Sequence, residues 1–324
     1  MNPLATTVMR THRYKALHRC IYCLTAVGPF SEEHIIPYSL NGTLTLPEAV
    51  CGACRKTVDP PEQKMLNEGL LVPRRLLSLR SRSRKKRRSP KKLPKVFLNR
   101  DGMAAKSFEL EGDDVQDIDQ YPRTFLMMKT FPAGFLTGND QGETAELLDP
   151  VECSLRLGTP TTTTSFTIEH HIEPWAFAYS LAKWAYSFAV AERGLGCCNT
   201  RAMRELLANE RRDVFNFVGG ILEDERARRG HLHTLSFRQR GPWLTVVVHL
   251  FAFSDSPQYE VVIGATRTLT EEESRLNPID GVMTAEITGQ HWRPETGWVA
   301  QLAPDSEMNR RLLNLGYSEA EDLP

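Results

Sequence analysis

The 324-residue sequence has no apolar run approaching the roughly 20 residues that a bilayer span needs, which excludes an ordinary transmembrane helix. Between Met1 and Arg19 there are basic residues but no apolar stretch of signal-peptide length, so a cytoplasmic location is expected. Cysteine is scarce, seven in all, which excludes a disulfide-rich scaffold. Internal repeats are absent, which argues against a solenoid or a propeller. Acid is missing altogether between Pro73 and Val96, where twelve Lys and Arg residues crowd together. That local deficit hides inside a formal net charge of zero: the rest of the chain holds 28 bases against 40 acids. A neutral chain with one concentrated basic strip differs physically from an evenly mixed one.

What is present describes a globular protein. A hydrophobic content of 41% and a charged content of 25% are ordinary for a soluble fold, and the length suffices for about two domains. Four of the cysteines form two Cys-x-x-Cys pairs, Cys20/Cys23 and Cys51/Cys54, separated by 27 residues. Two such knuckles can present four thiolates in a tetrahedron, which suits Zn²⁺; the alternative is four unrelated reduced thiols. In a short segment with little apolar content, roughly 10–16 kcal/mol of zinc binding becomes folding energy. Four thiolates leave no open position for substrate, so such a zinc is structural.

Between and after the knuckles the pattern is short and β-rich. Phe30 to Pro37 and Thr43 to Val50 read as strands, with Asn41-Gly42 as the turn. A helix is expected from Asp59 to Leu71, with Asp59 as N-cap, Pro60 in the first position and Glu62 at capping-box spacing. The strip that follows, PRRLLSLRSRSRKKRRSPKKLPK, has no apolar period at its centre and reads as a linker. It either tracks a phosphate backbone or is simply solvated. Beyond it lie an acidic stretch from Glu109 to Asp119 and an exposed strand from Thr161 to Ile168. The helix from Glu173 to Arg193, stopped by Gly194, carries aromatics on most sides and should be buried widely. A helix from Thr200 to Arg211 follows. His233–Arg238, Trp243–Phe253 and Tyr259–Thr266 then read as strands, the last two joined as a hairpin.

The chemistry is expected between the knuckles, in Ser31-Glu32-Glu33-His34-Ile35-Ile36-Pro37. Cys-x-x-Cys, Glu-His-Ile-Ile-Pro, Leu40-Asn41-Gly42 and a second Cys-x-x-Cys, in this order, resemble the HNH endonucleases of the ββα-metal type. The likeness covers about residues 17–60 and is greatest to the bacterial branch whose core lies between two zinc knuckles. The composition and element pattern read as a basic linker in residues 73–95 and a mixed α+β domain in 96–324, so the expected fold class is α+β. The resemblance implies a zinc-stapled ββα-metal (HNH) module in residues 1–72. It further implies a metal-dependent endonuclease hydrolysing phosphodiester bonds in DNA, with RNA as the alternative. His34 would be the general base, its unperturbed pKa of about 6.5 lying close to the working pH. Glu33 would be a ligand to a catalytic Mg²⁺ or Mn²⁺, both of which favour oxygen donors. Neighbouring side chains on a regular strand point to opposite faces, so Glu33 and His34 converge only if the chain leaves strand geometry there.

One position departs from the family. Beside the last cysteine, where the family carries Asn or His, stands Arg55, which has no lone pair for a cation but can hold a phosphate. The middle Asn of the wider pattern is absent as well, since Leu44 to Val50 contains none. Asp59, one turn on, either replaces the missing ligand or caps the helix before Pro60-Pro61. The competing function is therefore a catalytically degenerate, zinc-stapled nucleic-acid-binding protein; a pure scaffold would leave the basic strip unexplained. Elsewhere, Glu169-His170-His171 with Glu173 offers a second metal site or a surface loop. Cys197-Cys198 is expected in a turn rather than as a disulfide, and His231 and His233 at a strand start.

Overall fold

The computed structural model describes residues 12–79, 96–100, 103–108, 124–144, 147–154, 165–168, 171–222, 231–270 and 297–301. The centre of the basic strip, the acidic stretch at 109–119, residues 161–164 and the Glu169-His170 pair lie outside them. The architecture is mixed α+β.

At the N-terminus, β1 (His12–Arg13), β2 (Phe30–His34) and β3 (Leu44–Cys51) form a sheet of order β1-β3-β2. The β2–β3 pair is antiparallel and runs straight into helix α1 (Gly52–Asn67), giving a strand–strand–helix unit. The turn into β3 depends on Asn41, which adopts the left-handed conformation at φ 60°, and on Gly42. A Cβ on Gly42 would lie 1.8 Å from the Ile36 carbonyl oxygen, so only glycine fits this close approach. A short helix α2 (Leu71–Leu76) completes the unit. It is held by Arg74, whose guanidinium donates to the Ser39 and Leu66 carbonyls at 3.2 and 2.6 Å.

Helix α1 corrects the expected start at Asp59. Its N-cap is Cys51, whose sulfur accepts from the Cys54 N–H at 3.4 Å, so Pro60 and Pro61 fall inside the helix. Each proline removes an intrahelical hydrogen bond, which ordinarily disfavours a helix interior. The second knuckle fixes the first turn, and the buried Val58, Glu62, Met65 and Leu66 hold the rest against the core. Glu62 therefore completes no capping box; it is turned inward.

The remaining described elements are β4 (Val96–Arg100), β5 (Met103–Phe108), β6 (Thr124–Thr130), α3 (Gly134–Thr137), β7 (Leu147–Ser154) and β8 (Ser165–Ile168). Then come α4 (Pro174–Arg193), α5 (Arg201–Leu207), α6 (Val214–Phe217), β9 (Val218–Gly220), β10 (His231–Arg240), β11 (Trp243–Leu250), β12 (Gln258–Ala265) and β13 (Gly297–Gln301). Strands β9 to β13 build an antiparallel sheet of order β13-β10-β11-β12-β9, with β11 and β12 joined as the expected hairpin.

Helix α4 is the centre of the molecule. Every residue from Ala176 to Val190 is buried, as its all-round apolar character foretold. On one side Phe177 meets Tyr259 and Phe188 stacks on Phe237 of the sheet; on the other it packs against α1. One continuous apolar core runs from Cys20 in the first knuckle to Ala265 in β12. Fully buried aromatics such as Trp184, Tyr179 and Tyr186 each contribute about 1.5–3 kcal/mol or more to that core. His233 fastens the sheet to the N-terminal unit. Its Nε2 lies 2.9 Å from the Leu40 carbonyl oxygen, and its Nδ1 accepts from the Phe251 N–H at 3.2 Å. Those partners define the neutral Nε2–H tautomer, and burial pulls its pKa down to about 3.

Candidate metal centre and carboxylate cluster

The first knuckle is a tight turn. The Cys20 N–H donates to the Thr25 carbonyl and the Leu24 N–H to the Cys20 carbonyl, both at 2.9 Å, with Leu24 at φ 61°. The second is the junction of β3 and α1. Between them they bring the sulfurs of Cys20, Cys23, Cys51 and Cys54 within 4.8 Å of one another, with Cys23 and Cys51 at 3.8 Å. A tetrahedron built on Zn–S bonds of about 2.3 Å has sulfur–sulfur edges of about 3.8 Å. The four cysteines can therefore hold a metal ion such as zinc. Burial pushes the Cys20 thiol up. Burial also works against the Cys51 thiolate, but the Cys54 N–H and the neighbouring thiols outweigh it and bring Cys51 down to about 7. The thiolate is the ligating form. Helix α4 reaches the knuckle directly: Tyr186 donates its hydroxyl to the Ile21 carbonyl at 2.6 Å.

A second constellation lies beneath. Glu33 of β2 is 3% exposed, and its Oε1 lies 3.1 Å from the Lys183 Nζ of α4. Asp59 and Glu62, three residues apart on one face of α1, approach the same ammonium at 3.5 and 2.9 Å. Trp184 donates its indole N–H to the same Glu62 oxygen at 2.7 Å. Lys183 is itself 2% exposed. Burial disfavours its charge, yet the carboxylates of Glu33 and Glu62 overcome that and hold it above the ordinary lysine range. Burial raises the Glu33 carboxyl, with Lys183 pulling the other way.

Glu33 and Asp59 thus converge, as a shared cation would require, but the cation they meet is an ammonium of the chain itself. The three carboxylates sit 2.9–3.5 Å from that one nitrogen. Among the described residues, the four cysteines are the only group of three or more potential ligands gathered tightly enough for a metal.

His34 occupies the other side of the strand. The register of β2 against β3 shifts between Ser31 and Glu33, but Glu33 and His34 pair in sequence with Leu46 and Thr45. Alternation then sends Glu32 and His34 to one face and Glu33 to the other. The His34 Nε2 lies 3.5 Å from Glu32 Oε1, and its ring meets Tyr38 edge-on. The His34 side chain is 22% exposed. Arg13 pairs with Glu32 at 3.1 Å, and Arg55 donates to the Glu32 carbonyl at 2.6 Å. Arg55 is thus bonded to the strand that carries His34.

Sequence reasoning missed Glu32, Glu62 and Lys183. The signals were available. Glu32 and His34 have same-face spacing, Asp59 and Glu62 have helical same-face spacing, and a lone lysine inside an apolar helix requires buried partners. Of the other expected sites, Cys197 and Cys198 are free thiols with sulfurs 3.8 Å apart. Glu173 caps α4 by accepting from the Ala176 N–H, His171 is exposed, and His231 opens β10. Among the described residues no helix is long and apolar enough to cross a membrane. No protein-family model, curated protein or solved structure matches this chain.

Proposed function

We propose that this chain acts on nucleic acid through a zinc-stapled, HNH-type ββα module, and that His34 is the residue that meets the phosphodiester. The observation that carries the reading is the strand–strand–helix unit itself. The Glu-His-Ile-Ile-Pro run begins on the last two residues of its first strand and continues past it, and four converging thiols brace the junction of the second strand with the helix. Zinc on those thiols supplies stability and no reaction step. The twelve bases between Pro73 and Val96 give sequence-independent, salt-sensitive affinity for a phosphate backbone.

In the endonuclease form of this reading, His34 takes a proton from the water that attacks phosphorus, and the P–O bond to the leaving sugar oxygen breaks as that oxygen takes a proton from solvent. Glu32, 3.5 Å from the His34 Nε2, stabilises the imidazole once protonated, and Arg13 adds positive charge beside Glu32. No step passes through Glu33. A second reading, binding without cleavage, is favoured by one observation: Lys183 holds the carboxylates that a nuclease cation would need.

Plasmid nicking by the purified full chain separates the two. Under the first, wild type nicks DNA and His34→Ala abolishes nicking while folding and DNA binding persist. Nicking by His34→Ala equal to wild type removes His34 from the chemistry. Binding with no nicking selects the second reading, and a chain that neither binds nor nicks nucleic acid overturns both.

A further inference from the structure

We propose that Lys183 is the resident cation of the module's carboxylate site, replacing a divalent metal and making Glu33 a positioning residue rather than a ligand. The inference rests on the HNH-type reading for the expectation of a metal there. The geometry that opposes that expectation comes from the chain itself.

Glu33, Asp59 and Glu62 come from two elements of the N-terminal unit, and each has an oxygen 2.9–3.5 Å from one nitrogen of α4. The ammonium donates a hydrogen bond to Glu62 and meets Glu33 and Asp59 as ion pairs. The indole of Trp184 supplies one more donor to Glu62, so the cluster is bonded from two successive residues of α4. Drawing these oxygens onto a small divalent ion would require expelling Nζ. The Lys183 side chain is 3% exposed, and the cluster reaches solvent at Asp59, whose side chain is 37% exposed.

The groups facing the ammonium from the surrounding elements account for its charge. Glu33 faces it from β2, Asp59 and Glu62 from α1. Tyr22, whose hydroxyl is 3.5 Å from Ser187 Oγ, lies within the field of Glu33 and Glu62, and burial keeps that phenol neutral. Three acids around one base leave the cluster with no deficit of negative charge, so charge balance does not exclude a metal. The exclusion is steric: the centre is filled by the Lys183 side chain.

A positioning role follows. The cluster joins the strand that carries His34 to the helix at the middle of the core, so Glu33 sets where β2 sits while His34 faces the opposite side. Lys183 does this permanently and does not depend on ion concentration.

The test is Mn²⁺ binding to the zinc-loaded full chain, followed by the paramagnetic signal of free Mn²⁺ and by the thermal midpoint. Wild type is expected to take up no Mn²⁺ that Glu33→Gln removes, and its midpoint should not move with Mn²⁺ or Mg²⁺. Lys183→Ala empties the centre, leaves three carboxylates around it and should gain Glu33-dependent stabilisation by Mn²⁺. Mn²⁺ binding by wild type that Glu33→Gln abolishes would overturn the proposal. Should Lys183→Ala fail to fold, wild type against Glu33→Gln decides alone. DNA binding is scored separately. Its absence removes the functional reading and leaves the Mn²⁺ result standing, whereas Glu33-dependent Mn²⁺ uptake with DNA binding intact removes only this inference.

Discussion

Replacing Glu62 by alanine should be among the most damaging single changes to this chain. Glu62 Oε1 accepts from Lys183 Nζ at 2.9 Å and from Trp184 Nε1 at 2.7 Å, with both partners buried. Removing one partner of a buried ion pair costs about 3–5 kcal/mol, because the other charge stays in the core. Orphaning the indole N–H adds about 1–3 kcal/mol. Glu33 and Asp59 still face the ammonium, which places the expected loss near the lower end, about 4 kcal/mol. Against a typical total of about 5–15 kcal/mol, that removes a large part of the stability. Glu62→Gln keeps the volume and an acceptor for Trp184, and should fall between wild type and alanine. Glu205, whose partner Arg201 is about half exposed at i,i+4 spacing, provides the control; its alanine variant should cost about 0.3–0.5 kcal/mol. Urea denaturation with a common slope measures all three. A Glu62→Ala loss no larger than that of Glu205→Ala would refute the claim that the cluster holds α1 to α4.

Three further outcomes can be checked. Chelation, or Cys51→Ser, should unfold the N-terminal unit and release about one zinc per chain by elemental analysis, since structural zinc contributes about 10–16 kcal/mol; unchanged thermal stability of the metal-free protein would contradict the staple. His233, fully buried and pulled down to about 3, binds its proton in the unfolded chain first. It therefore contributes stability above pH 6.5 that is lost as pH falls toward 3, on the order of a few kcal/mol; His233→Gln should flatten that part of the stability–pH curve, and an identical slope would refute it. Gly42→Ala, with its Cβ 1.8 Å from the Ile36 oxygen, should be strongly destabilising. Gly52→Ala, with nothing within 4 Å, should be neutral or better, and equal midpoints for the two would contradict the packing at the turn.

The parts of the fold legible in the sequence were those governed by short-range chemistry. The paired knuckles, the Asn41-Gly42 turn, the α4 stop at Gly194 and the β11–β12 hairpin each depend on residues within a few positions of one another. The start of α1 was misread for a reason of the same kind. Asp59-Pro60 is a strong local signal for a helix beginning, and the tertiary hold of the second knuckle overrides it. The convergence of Asp59 with Glu33 was foreseen as an alternative, but not what fills the space between them. Lys183 lies more than a hundred residues away, and only the packing of α4 on α1 brings it there. Alternation along β2 already set Glu33 and His34 apart; the family pattern, which treats them as a unit, drew attention away from Glu32.

The bond from Tyr186 to the Ile21 carbonyl places a link between the two cysteines of the first knuckle and the most deeply buried helix. Any metal held there is thereby wired to the far half of the chain. The speed at which a coloured chelator strips it becomes a gauge of how often that helix lets go, readable without touching the sheet at all.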